Sequence, residues 1–113
     1  MSYDPTPATP QGQSAQVFFD RRELDRILHV YGRMVAAGEW RDYGIDGGRE
    51  AASFSVFRRT SEAPVYRVEK RPALRARQGQ YAVIGQGGLI LKRGHDLTQV
   101  LRVFDARRFR VVG

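Results

Sequence analysis

Nine basic side chains in the second half of the chain have the chemistry to hold an anion: Arg58, Arg59, Arg67, Lys70, Arg71, Arg75, Arg77, Lys92 and Arg93. Arginine grips phosphate through two parallel hydrogen bonds and stacks on nucleobases. Seven of the nine fall between Arg58 and Arg77, offset only by Glu62 and Glu69. Residues 1–57 carry six Arg against eight Asp or Glu, a balance of −2, whereas residues 58–113 carry thirteen Lys or Arg against four acids, a balance of +9. Such an asymmetry points to an acidic partner, RNA or DNA first among them. A merely solvated basic surface gives the same numbers. Phe57 could offer a ring for base stacking, or belong to the core. No RNP motif, KH loop or zinc finger accompanies the basic residues.

A second place for an anion is the start of the last helical pattern. Lys92 and Arg93 precede Gly94 there, and free helical amides attract phosphate. Asp96, at the cap position, opposes that use.

Chemistry of other kinds finds little to work with. The chain has no cysteine, which removes disulfides, thiolate metal sites and thiol nucleophiles together. His29 and His95 are far apart and belong to no zinc spacing. Gly85-Gln86-Gly87-Gly88 lacks the third glycine of a dinucleotide loop, has Ile90 in its place, and leads into a strand rather than a helix. Asp42, Asp46 and Glu39 suit strand and helix ends, while Asp20, Glu23 and Asp96 suit helix caps. The expectation is a non-enzymatic domain without cofactor or metal.

The elements that must position these residues are well marked. Ala52–Arg71 holds two runs rich in Phe, Val and Tyr around Thr60-Ser61-Glu62-Ala63-Pro64, the pattern of a β-hairpin. Its second run sets Tyr66 and Val68 on one face and Arg67, Glu69 and Arg71 on the other. The outer face is therefore expected to be basic. In the first run Phe57 breaks the alternation, which calls for a bulge or for burial on both faces.

Asp20 with Glu23 forms a capping box, Phe19 and Leu24 form a hydrophobic staple, and Leu24, Ile27, Leu28, Tyr31, Met34 and Val35 recur at helical spacing as one apolar face. Gly38 is placed to end that helix, and interior Gly32 suggests close packing. Trp40–Ile45 reads as a strand closed by Asp46-Gly47-Gly48. Tyr81–Ile84 and Leu89–Leu91 form a further strand pair. Asp96 with Gln99 caps a short helix whose core positions are Leu97, Val100, Leu101 and Phe104. Phe109–Val112 reads as an edge strand or a docked tail.

The expected fold is therefore α+β: one domain over residues 16–113, with an antiparallel sheet of four to six strands and an N-terminal and a C-terminal helix on one face. Residues 1–15, with Pro5, Pro7 and Pro10, read as a mobile tail. No apolar run approaches the ~20 residues of a membrane span, and the N-terminus has no signal-peptide pattern. A cytoplasmic protein is expected.

The segments GRMVAAGEWRDYGID (32–46), FSVFRRTSEAPVYRVEKRP (54–72) and GLILKRGHDLTQVLRVFD (88–105) resemble an uncharacterised family of short alphaproteobacterial proteins, a domain of unknown function. The resemblance implies a bacterial cytoplasmic protein and transfers no site residue. The order of elements is also similar to that of phosphotyrosine-binding SH2 domains, but Phe57 stands before Arg58 and moves that Arg off the face a phosphate-binding Arg needs. Two kinds of partner follow: nucleic acid on the basic face, or another protein, or a second copy, on an edge strand at Trp40–Ile45 or Phe109–Val112.

Overall fold

Asp20 starts the first helix, α1 (Arg21–Ala36), by accepting the Glu23 amide at 2.8 Å, while the Glu23 carboxylate accepts the Asp20 amide at 2.8 Å. Both arms of the capping box are made, so two of the helix's orphan amide donors are satisfied. Gly38 ends the helical path with φ +79°, a left-handed conformation that costs glycine little. In this computed structural model, residues 16–59 and 63–105 are described. The expected tail (1–15), the hairpin tip (60–62) and the Phe109–Val112 segment lie outside them.

Five strands follow: β1 (Asp42–Asp46), β2 (Ala52–Phe57), β3 (Tyr66–Lys70), β4 (Tyr81–Gly85) and β5 (Ile90–Gly94), and then a short helix α2 (Leu97–Leu101). The strands make an antiparallel meander in the order β1-β2-β3-β4-β5, so β1 and β5 are its edges. The hairpin register sets Phe54 against Val68 and Ser55 against Arg67. The β1–β2 register is likewise unbroken through Phe57, which pairs with Asp42 and stands half-buried on the outer face. Of the two expectations at Phe57, a bulge or burial on both faces, the second is the nearer. Ser53, Ser55 and Phe57 are half-buried on the outer face, and the sheet's irregularity falls between β4 and β5, at Val83/Ile84. Trp40 precedes β1 rather than belonging to it, and is buried. Val17 forms an isolated bridge with Gly48.

One face of the sheet carries the core. Phe54 and Val56 of β2, Val68 of β3, and Tyr81 and Val83 of β4 meet Ile27, Val30 and Met34 of α1 and Leu97, Val100, Leu101 and Phe104 of the α2 region. Both helices therefore cover the same face, as the patterns require. Trp40 and Phe104 pack edge-to-face at 4.9 Å between ring centroids, closing the core between the helices. Gly79 (φ +108°) lets the β3–β4 connection pass against β5: a Cβ there would lie 2.3 Å from the Gly94 backbone.

α1 departs from expectation in which residues it buries. The buried stripe is Glu23, Ile27, Val30 and Met34. Leu28 and Val35, expected in the core, are exposed, and Leu24 is only half-buried. Neighbouring residues of a helix point about 100° apart. An apolar set that includes both Ile27 and Leu28 spans more of the helix than one sheet face can cover. Gly32 also proves to have no packing role, since a Cβ there would meet nothing within 4 Å.

Candidate functional site

The hairpin that gathers the basic residues in sequence separates them in space. Arg58 and Arg59 follow β2 at one end of the sheet. Lys70, Arg71, Arg75 and Arg77 lie at the other end, one five-residue strand away, or roughly 16 Å. Lys92 and Arg93 lie on the edge strand β5. The nine candidates do not form one cluster.

Several are also already engaged. Lys70 points to the core face, where its ammonium donates to Glu23 Oε1 at 2.8 Å and to the Phe18 carbonyl at 2.9 Å. On the outer face Glu69 is buried, only 6% exposed, and its carboxylate draws in Arg71 at 3.3 Å and Arg93 at 3.6 Å. Glu69 is the largest cause of a raised Arg71 pKa, through its hydrogen bond and its charge. Arg71 also reaches Glu50 at 3.2 Å, and Arg93 donates to the Gly79 carbonyl. Ala82 and Ile84, on this same face, are buried as well, and Arg67 is half-buried. The alternation of Arg67, Glu69 and Arg71 is as expected, but the face is an ion-paired layer rather than an open basic surface. Arg75, Arg77 and Lys92 remain exposed.

The start of α2 is likewise occupied. The Asp96 carboxylate accepts the Thr98 and Gln99 amides, the donors that a phosphate would need. His29 and His95 are both exposed. No group of three His, Asp or Glu able to hold a metal occurs among the described residues.

A buried polar cluster joins α1 to the sheet. Glu23 accepts from the Asp20 amide, from Lys70 and, through a very short bond, from the Tyr81 hydroxyl. Burial, then the Glu23 hydrogen bond and charge, raise the Tyr81 phenol above its ordinary value. Every Glu23 oxygen is used within the protein, so the cluster ties helix to sheet and offers no idle base.

Two further surfaces stand out, although in the first Arg26 already donates to the Thr98 hydroxyl and in the second the Tyr43 amide donates to Asp42 Oδ1 at 2.8 Å. A groove of about 460 Å³ lies between α1 and α2, floored by Val30 and Leu101 and rimmed by Arg26, His29, Arg33 and Arg102. Arg33 crosses it to Asp105 at 2.9 Å. Sequence reasoning missed this groove, although Arg26, His29 and Arg33 share an i, i+3, i+7 face.

The other is the β1 edge. Its outward side pairs with no strand among the described residues. Beside it run four of the seven large apolar side chains that the core leaves exposed among the described residues: Leu28 (36% exposed) and Val35 (40%) on α1, and Tyr43 (41%) and Ile45 (45%) on β1. The others are Phe18, before α1, and Leu89 and Ile90, where β5 begins. Tyr31 joins the two rows, its ring 4.9 Å from that of Tyr43, which in turn stacks on Phe54 at 4.8 Å. Asp42 and Asp46 stand on the outer face of the same strand. At its first end a groove of about 600 Å³ is lined by Val35, Trp40, Arg41, Arg58 and Arg59. Arg58 reaches Glu39 at 3.8 Å. Trp40–Ile45 was among the edges the sequence offered for a protein partner; the apolar row of α1 beside it was read as core.

No helix among the described residues is long and apolar enough to cross a membrane. No curated protein and no solved structure matches the chain. Residues 17–101, which span α1, the whole sheet and the short second helix, match a family described as "Protein of unknown function (DUF2794)". The chain belongs to that family.

Proposed function

We propose that the protein is a small, non-enzymatic module that binds another protein by taking an extended segment onto the β1 edge. The observation that carries the reading is the continuous row of Leu28, Tyr31, Val35, Tyr43 and Ile45 beside an unpaired edge strand. Strand addition supplies main-chain hydrogen bonds, and apolar side chains flanking the edge supply specificity. An open edge next to apolar surface otherwise invites uncontrolled association, so its retention favours use. The non-enzymatic part rests on Glu23 and Asp96, whose carboxylates are committed to caps and to the helix–sheet tie. The absence of cysteine suits a reducing compartment such as the cytoplasm.

Nucleic acid is the competing partner, supported by the net charge of +7 and by exposed Arg75 and Arg77. It is the weaker reading because the bases are divided between the two ends of the sheet and Glu69 engages two of them. Co-purification from native cells separates the two. A protein that accompanies the wild type and is lost with Leu28→Lys and Ile45→Lys supports the edge. Nucleic acid that accompanies both forms equally contradicts it.

A further inference from the structure

Resting on the edge-docking reading, we infer that the docked segment has a defined direction and a defined charge pattern: apolar, any, apolar, basic or polar, acidic, read from its N- to its C-terminus. The sheet is antiparallel throughout, so an added strand continues it by running antiparallel to β1. Its residues then face Ile45, Gly44, Tyr43, Asp42 and Arg41 in turn. Side chains directly opposite in such a pair stand on the same face. Ile45 and Tyr43 lie on the helix-covered face, since they pair with Phe54 and Val56 of the core. The segment's first and third residues therefore meet Ile45 and Tyr43 beside Leu28, and apolar side chains fit there.

The fourth residue faces Asp42 on the outer face. A carboxylate there would stand directly against Asp42, which destabilises, so a basic or polar residue is favoured. The fifth faces Arg41 at the mouth of the groove shared with Arg58 and Arg59. Arg41 and Arg58 are both exposed, with Glu39 the near carboxylate. Guanidinium groups so placed match a carboxylate, through two parallel hydrogen bonds where the geometry allows. The same charges argue against a second copy of the chain in the register that pairs all five β1 residues. A two-fold pairing of β1 with itself about Gly44 sets Asp42 against Asp46 twice. The occupant is a distinct protein segment that is basic or polar before its acidic end.

Selection from a displayed library of random octapeptides against the immobilised full chain tests this, followed by titration of the enriched peptide on three proteins: wild type, Ile45→Lys, and the double variant Arg41→Glu/Arg58→Glu. The expected result is enrichment of the stated pattern, loss of binding with Ile45→Lys, and roughly tenfold weaker binding with the double variant, in line with the coupling of close interfacial charge pairs. Thermal melts confirm that both variants remain folded. Enriched peptides that Ile45→Lys abolishes but that lack the carboxylate, or bind the double variant unchanged, overturn the charge pattern and leave edge docking standing. If no peptide is enriched, or Ile45→Lys binds as well as wild type, both fall.

Discussion

The outer face of the hairpin and the edge at β1 are the two regions where the sequence offers side chains suited to binding, and folding treats them oppositely. On the outer face the arginines are drawn onto Glu69, with Ala82 and Ile84 buried beside them. At β1, Leu28, Val35, Tyr43 and Ile45 are left open while Ile27, Val30 and Met34 of the same helix enter the core. Charges close together along a hairpin are carried to opposite ends of its strands and find partners across the sheet. Apolar residues in excess of one helix face have no such recourse and stay on the surface. An unspent apolar row is the better sign of a partner here than a crowded run of arginines.

The comparison breaks most visibly on α1. Ile27→Ala removes a side chain 2% exposed and should destabilise by about 2–5 kcal/mol. Leu28→Ala, one residue on, should change stability by less than about 1 kcal/mol. Equal shifts in denaturant midpoint would show that both rows are core. On the outer face, Glu69→Gln leaves the two guanidinium groups without their carboxylate and should cost roughly 1–3 kcal/mol by chemical denaturation. An unchanged midpoint would mean that Arg71 and Arg93 are free to turn outward to an anion, restoring the basic face.

Smaller effects sharpen the account of what holds α1 in place. Asp20→Ala should lose about 1 kcal/mol with the cap. Tyr81 yields a pH signature. Its folded phenol holds its proton more tightly than the unfolded one, which titrates near pH 10, so its contribution is full below that value and fades as pH rises further. The melting-temperature gap between wild type and Tyr81→Phe should stay constant to about pH 9 and narrow above pH 10. A gap independent of pH would place the phenol outside the Glu23 cluster.

Much of this was legible in the chain. The first capping box, the Gly38 stop, the hairpin and the facing of its second strand, and the second helix's core positions follow from local rules whose partners lie within a few residues. At the second helix Asp96 caps, but Gln99 does not complete the box that its spacing suggests. What was not legible depends on distant elements. Leu28 and Ile27 are both strongly apolar, and only the placement of α1 across the sheet decides which is covered. Lys70 reads as one more base in a basic run until Glu23, far back in sequence, is brought beneath it. Phe57 suggests a bulge or a second buried face, and only the assembled sheet, with Glu69, Ala82 and Ile84 buried on the outer side, decides between them. Arg41 lies outside the crowded basic stretch, and only the pairing of β1 with β2 sets it beside Arg58.

The most direct measurement is an amide NMR titration of the isotope-labelled protein with the selected peptide. The account predicts that the largest shifts fall on residues 42–46 and on the Leu28–Val35 side of α1, with Arg67, Glu69 and Arg93 nearly unmoved. Shifts centred on those three outer-face residues, with β1 unchanged, would contradict it.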